Sequence, residues 1–505
     1  MFSPNEKKII KDYNRQLDEL LDFVFSSDSF DKEILANNAL TKNPDFNPGF
    51  IKKFKGLKVK KNNKFFFYYL LIYFFKSFAY LVLFFLKKTL FIIFSKKVNF
   101  LDYKNFFVLD IFLLSKSTVK KNKFEDRYLS RVAENLDKNN KKFLYLPVFY
   151  DDGFNLFNWI KVYKILSSSK FEFLTEFQLV SWRHSFEMFI FIFKYSIQLF
   201  KLIKFVENSK FSDEYLIYSL YDSIKHSSLS AYVRYIMGRE MAKKNNSFTL
   251  LSYCEYQDID RLLFKSLREY SPNVKIIAYQ MFRKHEFFMN MDIPEQNKIF
   301  GFAPDKVIVN GKFYIPKNSS YEYQSASVRN TEVFKYKSSK NAKEFLLLLP
   351  YIESEAKKMT QIFINSLSFL VCPKIKLHPV LGKGVLSKFN LDQDIVADDD
   401  FYSMVSKTGV IFTSVGGAAL EAISMGISII IFKDHKEPQI NPLIELGKGI
   451  IWDEASNSDE LISKFSSLMQ LRQDNYEKVE KLSLEYQRLF FTNPSSELIK
   501  ETYRV

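Results

Sequence analysis

Hydrophobic positions fall along the chain in three regimes. Residues 1–60 are polar with helical spacing, predicting one or two short helices, and run into the basic segment KKFKGLKVKKNNK (52–64). The most apolar stretch follows, FFFYYLLIYFFKSFAYLVLFFL (65–86), closed by Lys87-Lys88, then TLFIIF and a second pair, Lys96-Lys97. At about 1.5 Å per residue, a helix of this length reaches across ~30 Å of hydrocarbon. Lys76 near its middle opposes a span, at about 2.5–3.5 kcal/mol on insertion. Basic clusters on both sides give no orientation. A helix or helical hairpin in the membrane interface is therefore expected, against burial in a large apolar core. The aromatic segment FEMFIFIFKYSIQLFKLIKFVE (186–207) is expected as a core helix able to lie beside the first.

From about residue 101 the pattern changes to short apolar runs separated by helical segments. NFFVLDIFLL (105–114), KFLYLPVFY (142–150), FTLLSY (248–253), VKIIAYQ (274–280) and KVIVNG (306–311) read as buried strands, with a helix over 258–270. Residues 312–342 are polar, rich in Ser and Asn and without period, which predicts a linker. A second series follows: EFLLLLP (344–350), KIKLHP (374–379), IVADDD (395–400), GVIFTS (409–414), ISIIIF (427–432) and GIIWDE (449–454), with two closing helices over most of 458–490. Strands alternating with helices predict parallel sheets in an α/β fold. Two doubly wound domains place ligands at the carboxyl ends of their strands. The expected division is a helical extension over 1–100, a Rossmann-like domain over 101–330 and a second over 331–505.

The length of 505 residues exceeds what one core supports, consistent with this division. Lys and Arg exceed Asp and Glu by 73 − 57 = 16, which favours an anionic partner such as phosphate-bearing substrates, anionic lipid or nucleic acid. The 55 Phe and 29 Tyr point to AT-rich coding, which also enriches lysine. Lysines are scattered rather than gathered on one recognition element, so nucleic acid is not the expected partner. Two cysteines, Cys254 and Cys372, form no zinc spacing and cannot staple a chain of this size, so a reducing compartment is expected. The opening MFSPNEKKIIKDYNRQ lacks the apolar core of a secretory signal.

Candidate chemistry concentrates in two segments. IFTSVGGAALEAISMGISIIIF (411–432) runs strand, glycine turn, helix, strand, and sets Thr413, Ser414, Gly416 and Gly417 at a helix N-terminus. Unsatisfied amides and the positive end of the helix dipole make that a site for an anion. Glu421, one to two turns in, can accept from sugar hydroxyls. An ordinary βα turn with glycines for close packing is the alternative. In KIKLHPV (374–380), Pro379 holds His378 at the end of a strand, where imidazole can donate to a phosphate oxygen, and Lys376 shares its face. Tyr150-Asp151-Asp152-Gly153 and Glu255 end strands of the first series. Arg283, His285 and His435 with Asn441-Pro442-Leu443 are weaker candidates. Asp398-Asp399-Asp400 reads as an N-cap cluster, so no metal site is expected.

The Lys-x-His-Pro element, the Thr-Ser-Gly-Gly turn and Glu421-Ala422 with Gly426 together resemble the C-terminal domain of GT-B glycosyltransferases of bacterial surface-carbohydrate synthesis. That group includes sialyltransferases, Kdo transferases of capsule assembly and CDP-glycerol polymerases. Residues 252–314 (SYCEYQDIDRLLFKSL, VKIIAYQ, APDKVIVNGKFY) are similar to surface-carbohydrate biosynthesis proteins. The resemblance implies two Rossmann-like domains facing a cleft and transfer from a nucleotide-sugar donor, favouring a CMP-sugar, to a growing polysaccharide or lipid-linked glycan. It implies inversion without a metal or other cofactor, on the cytoplasmic face of the membrane. His378, Lys376, Pro379, Thr413, Ser414, Gly416, Gly417 and Glu421 are then donor-binding. Asp151 or Asp152 is the base by analogy with the sialyltransferases' paired-acid motif, with Glu255 its competitor. UDP-sugar 2-epimerases share the fold, and a non-catalytic basic membrane- or nucleic-acid-binding protein is the reading from another class.

Overall fold

A computed structural model of the chain describes every residue except 1–2, 37–41, 45–46, 60–62, 102, 151–154, 227–228, 283–284, 286, 318, 379–380, 382–387, 390, 392, 398, 415, 435–440 and 505, and the side chains of 63–66, 226 and 393. Two compact units result. One comprises residues 2–308, 316–324 and 496–505, the other 309–315 and 325–495.

The first unit holds six strands, β1 (Phe106–Leu114), β2 (Phe143–Tyr150), β3 (Phe248–Tyr253), β4 (Lys275–Gln280), β5 (Lys306–Val309) and β6 (Glu322–Ser325), in the order β2-β1-β3-β4-β5-β6. The pairs among β1 to β4 are parallel. β1 lies inside the sheet between β2 and β3, and its nearly unbroken apolar run is what a parallel strand covered on both faces requires. Its one charge, Asp110, is buried and pairs with buried Arg234 at 2.5 Å, while Ser252, its register partner on β3, donates to the same oxygen at 2.8 Å. Arg234 lies on the Leu229–Lys244 helix, which packs against the Asp258–Tyr270 helix. Gly238 sets that approach, since a Cβ there would stand 2.0 Å from Ser266 Oγ.

The apolar 65–94 region forms a single helix, Asn63–Phe94, rather than a hairpin. It buries Tyr73, Ser77, Phe84, Lys88 and Phe91, which share one face at spacings of four, seven, four and three residues. Tyr73 donates to the Ile192 carbonyl at 2.9 Å, and Lys88 to the carbonyls of Phe177 and Val180 at 2.5 Å each. Burial pushes the Lys88 ammonium down to about 8. The 186–207 segment forms nearly all of the His184–Glu207 helix. It differs from the expected core helix: its inner face is buried, but a stripe of Phe and Ile faces outward.

The second unit is a five-stranded parallel sheet of β7 (Glu344–Leu348), β8 (Lys374–Lys376), β9 (Thr408–Thr413), β10 (Ser428–Phe432) and β11 (Trp452–Ala455), in the order β11-β10-β9-β7-β8. Alternate residues Phe345 and Leu347, Val410 and Phe412, Ile430 and Phe432 build one core with Phe363 and Phe465 of the flanking helices. Fully buried Arg472 donates to the carbonyls of Gly426 and Ser339 and to Ser338 Oγ, tying down the turn where Gly426 adopts φ +88° before β10. The α/β class with two Rossmann-like sheets is thus as expected.

Two local expectations fail. Of 395–400, the described residues 395–397, 399 and 400 form no strand: Val396 makes a single bridge to Ile375, and Asp400 accepts from the Tyr402 amide as N-cap, in keeping with the preference of aspartate for caps over strands. Within 312–342, where only linker was expected, β6 extends the first sheet. Removing one partner of the Asp110–Arg234 pair strands a buried charge. Arg234→Ala should cost about 3–5 kcal/mol in urea unfolding, and the apolar pair Asp110→Leu/Arg234→Met much less.

Candidate functional site

In the second unit the chain leaves β7 for β8 on one side and returns as β9 on the other, so the sheet's switch point lies at the carboxyl end of β7. In open α/β sheets the crossovers leave such a point for opposite faces, and the crevice between them is where ligands bind. Leu348 of β7 is in register with Thr413 on one side and Lys376 on the other. Strand alternation sorts the β8 residues: Ile375 and Leu377 join the core, so Lys376 and His378 take the opposite face. His378 is half-buried, and its ring lies 5.8 Å from that of Tyr351, just beyond β7. Burial lowers its pKa below the ordinary value, which leaves a neutral imidazole at pH 7. The Lys376 ammonium donates to the Asp399 carbonyl. Pro379 lies outside the described residues.

Across the switch point, β9 ends in buried Thr413 and Ser414. Thr413 Oγ1 donates to the Leu348 carbonyl at 3.4 Å, and the Ser414 hydroxyl favours the charged form of the Glu355 carboxylate. Glu355 sits in the first turn of the Glu353–Ser366 helix that follows β7, and burial raises its pKa. Gly416, extended at φ −115°, is the N-cap of the Gly417–Ser424 helix, and its amide donates to the Ser414 carbonyl at 2.9 Å. The first amides of that helix have no acceptor within it. Among the described residues, a Cβ on Gly416 would meet only the Ala418 nitrogen at 3.9 Å, and one on Gly417 nothing within 4 Å. These glycines are therefore not demanded by packing, unlike Gly311, where a Cβ would stand 2.2 Å from the Phe490 backbone.

Glu421, on the next turn, accepts from the Tyr402 hydroxyl and from Asn330, with the positive charge of Arg329 nearby. Burial, the larger influence, raises its pKa. The Tyr402 ring stacks on Tyr336, centroids 5.9 Å apart. Glu355, Tyr351, Tyr402 and Asn330 were not singled out from sequence. Only Glu355 carried a signal, a carboxylate in the first helical turn after a strand, in the same βα position as the glycine turn.

In the first unit, Glu255 follows β3, next to the β1/β3 switch point, and is half-buried. Its carboxylate accepts from Gln257 Nε2 at 2.7 Å, and its carbonyl from Asn290 at 3.0 Å. Asp151, Asp152 and Gly153 lie outside the described residues, as do Arg283, His435 and Asp398. His285 serves its own turn, accepting from the Phe287 amide at 3.2 Å. Asn441 likewise caps the Leu443 amide at 2.9 Å. Among the described residues, no group of three His, Cys, Asp or Glu side chains is arranged to hold a metal.

No family model matches the chain, and no curated protein matches it in sequence. Among solved structures it is similar to MurG from Acinetobacter baumannii, at 10% identity and a TM-score of 0.43, over 79% of this chain and 99% of that one. It is also similar to the glycosyltransferase SnogD from Streptomyces nogalater, at 10% identity and TM-score 0.41, over 79% and 98%. HepE of Anabaena, determined in complex with UDP, aligns at 10% identity and TM-score 0.39, again over 79% and 98%.

The burial of His378 has a consequence for pH dependence. Its folded pKa lies below the unfolded value of about 6.5, so the unfolded chain binds the extra proton first as pH falls. The protein should lose stability as pH drops from about 6.5 towards the folded pKa. His378→Asn should flatten that slope in melting curves, and the His378 imidazole should titrate below free histidine by NMR.

Proposed function

We propose that the chain is a GT-B glycosyltransferase that moves a sugar from a nucleotide-activated donor to an acceptor hydroxyl. The observation that carries this reading is the glycine turn at the switch point of the second sheet. Among the described residues nothing stands within 4 Å of a Cβ on Gly417, where helix amides and the dipole favour an anion. The amides opening the Gly417–Ser424 helix, with the hydroxyls of Thr413 and Ser414 beside them, are the phosphate donors in this reading. His378 adds an N–H from a neutral imidazole. A bound phosphate raises the pKa of that imidazole, so that an imidazolium protonated from solvent would offset the negative charge that develops on the departing phosphate. The Glu421 carboxylate has lone pairs beyond those used by Tyr402 and Asn330 to accept from a ribose or sugar hydroxyl, and the Tyr336–Tyr402 stack offers an aromatic face.

The reaction is direct displacement with inversion. A carboxylate takes the acceptor proton, the acceptor oxygen bonds the anomeric carbon, and the bond to the phosphate oxygen breaks, its electron pair leaving with the nucleotide. Glu255, at a strand end by a switch point, is the candidate base with a described position, and Asp151 and Asp152 remain its competitors. The His-Pro element favours a CMP-sugar donor, and the surface-carbohydrate resemblance a polysaccharide or lipid-linked acceptor. In this reading the helix dipole and His378 do the work that a metal does in other transferases.

Calorimetric titration with CMP, CDP, UDP and GDP tests the proposal. One cytidine nucleotide should bind, and Gly417→Ala should weaken it at least tenfold, about 1.4 kcal/mol. The melting temperature should stay level or rise, because alanine suits a helix better than glycine and meets no neighbour among the described residues. Undiminished binding by the variant would remove the glycine turn from the site. Preference for UDP or GDP would discard the CMP-sugar assignment, and binding of none of the four would overturn the enzyme reading.

A further inference from the structure

The Asn63–Phe94 and His184–Glu207 helices lie against each other, with Phe74 and Phe193 centroids 5.4 Å apart and Phe78 and Phe189 5.9 Å apart. Opposite its buried face, the first helix exposes Phe67 (70%), Leu71 (61%), Phe75 (77%), Val82 (68%) and Ile93 (64%). The second exposes Phe186, Phe189, Phe193, Ile197 and Phe200, spaced three, four, four and three residues apart, a single stripe along its outer side. Together they present on the order of 1,000 Å² of apolar side chain, beyond the ~300–600 Å² of the largest patch on an ordinary soluble monomer.

We infer that this two-helix face is the surface by which the protein lies in an anionic lipid bilayer, both helices in the plane of the interface. Charge selects the occupant. Between Phe46 and Leu101 the chain carries twelve lysines and no Asp or Glu. Exposed Lys76 and Lys194 belong to the two helices themselves, and Lys96 and Lys97 follow the end of the first. Anionic headgroups complement such a rim, whereas a second copy would set lysine against lysine. Packing selects the orientation. Although the first helix is long and apolar enough to span, it is anchored from Tyr73 to Ser95: the hydroxyls of Tyr73 and Ser95 and the ammonium of Lys88 all bond within the unit. Spanning would break these bonds and carry Lys76 and Lys88 into hydrocarbon. The inference stands apart from the transferase proposal, since it rests on none of the strand-end residues.

Vesicle flotation of the full chain tests it. Binding to phosphatidylcholine vesicles containing phosphatidylglycerol should exceed binding to phosphatidylcholine alone at least tenfold, fall with salt, and be released by alkaline carbonate. The triple variant Phe75→Asp/Phe186→Asp/Ile197→Asp, at three exposed positions, should lose at least tenfold of that binding with unchanged circular dichroism and nucleotide affinity. Lys76→Gln/Lys194→Gln should weaken the preference for phosphatidylglycerol while retaining fold, a second check should the aspartates disturb packing. Resistance to carbonate would show a span and overturn the in-plane assignment. A lipid-free dimer dissolved by the triple variant, or no vesicle binding at all, would overturn the lipid assignment.

Discussion

A parallel sheet must be covered on both faces, because its connections are crossovers and its strands are apolar throughout. In the second unit that requirement sends the chain from β7 to opposite sides, first to β8 and then to β9. The crevice left at the carboxyl end of β7 follows from connectivity and not from the side chains that line it. His378, Thr413, Ser414 and the Gly417–Ser424 helix owe their common neighbourhood to this one reversal. The first sheet repeats the arrangement at β1, with Glu255 following β3 beside its reversal.

Around the crevice of the second unit, electrostatics are set by burial and by hydrogen bonding. The Thr413 hydroxyl donates to the Leu348 carbonyl, and the Ser414 hydroxyl favours the charged form of the Glu355 carboxylate. Glu355 and Glu421, partly withdrawn from water, are both raised in pKa, and His378 is lowered. Each shift disfavours charge, which leaves the backbone amides of the Gly417–Ser424 helix, the Lys376 ammonium and Arg329 as the positive groups there. Fixed dipoles cost no reorganisation when an anion arrives, which makes them effective where charge develops.

The apolar helices of the first unit obey a different balance. Tyr73, Phe84 and Phe91 dock one face of the Asn63–Phe94 helix, and Lys88 is tolerated beneath it because two carbonyls receive its protons. The outer face gains nothing from the fold. An apolar stripe that stays exposed on each of two adjacent helices signals a surrounding other than water.

By itself, the sequence determined the α/β class, most strand positions, the strand-end place of His378 and the glycine turn. These depend on local pattern: apolar runs of strand length, helical spacing, and glycine or proline at their ends. It did not reveal the partnership of Ser414 with Glu355, of Glu421 with Tyr402, or of Asp110 with Arg234, which join residues from 19 to 124 positions apart. Those pairs exist only because sheet order and helix packing bring distant segments within hydrogen-bond reach. The 65–94 segment shows the same limit. Its composition announced an apolar helix, but only packing against its neighbours decided which face is buried and which is left exposed.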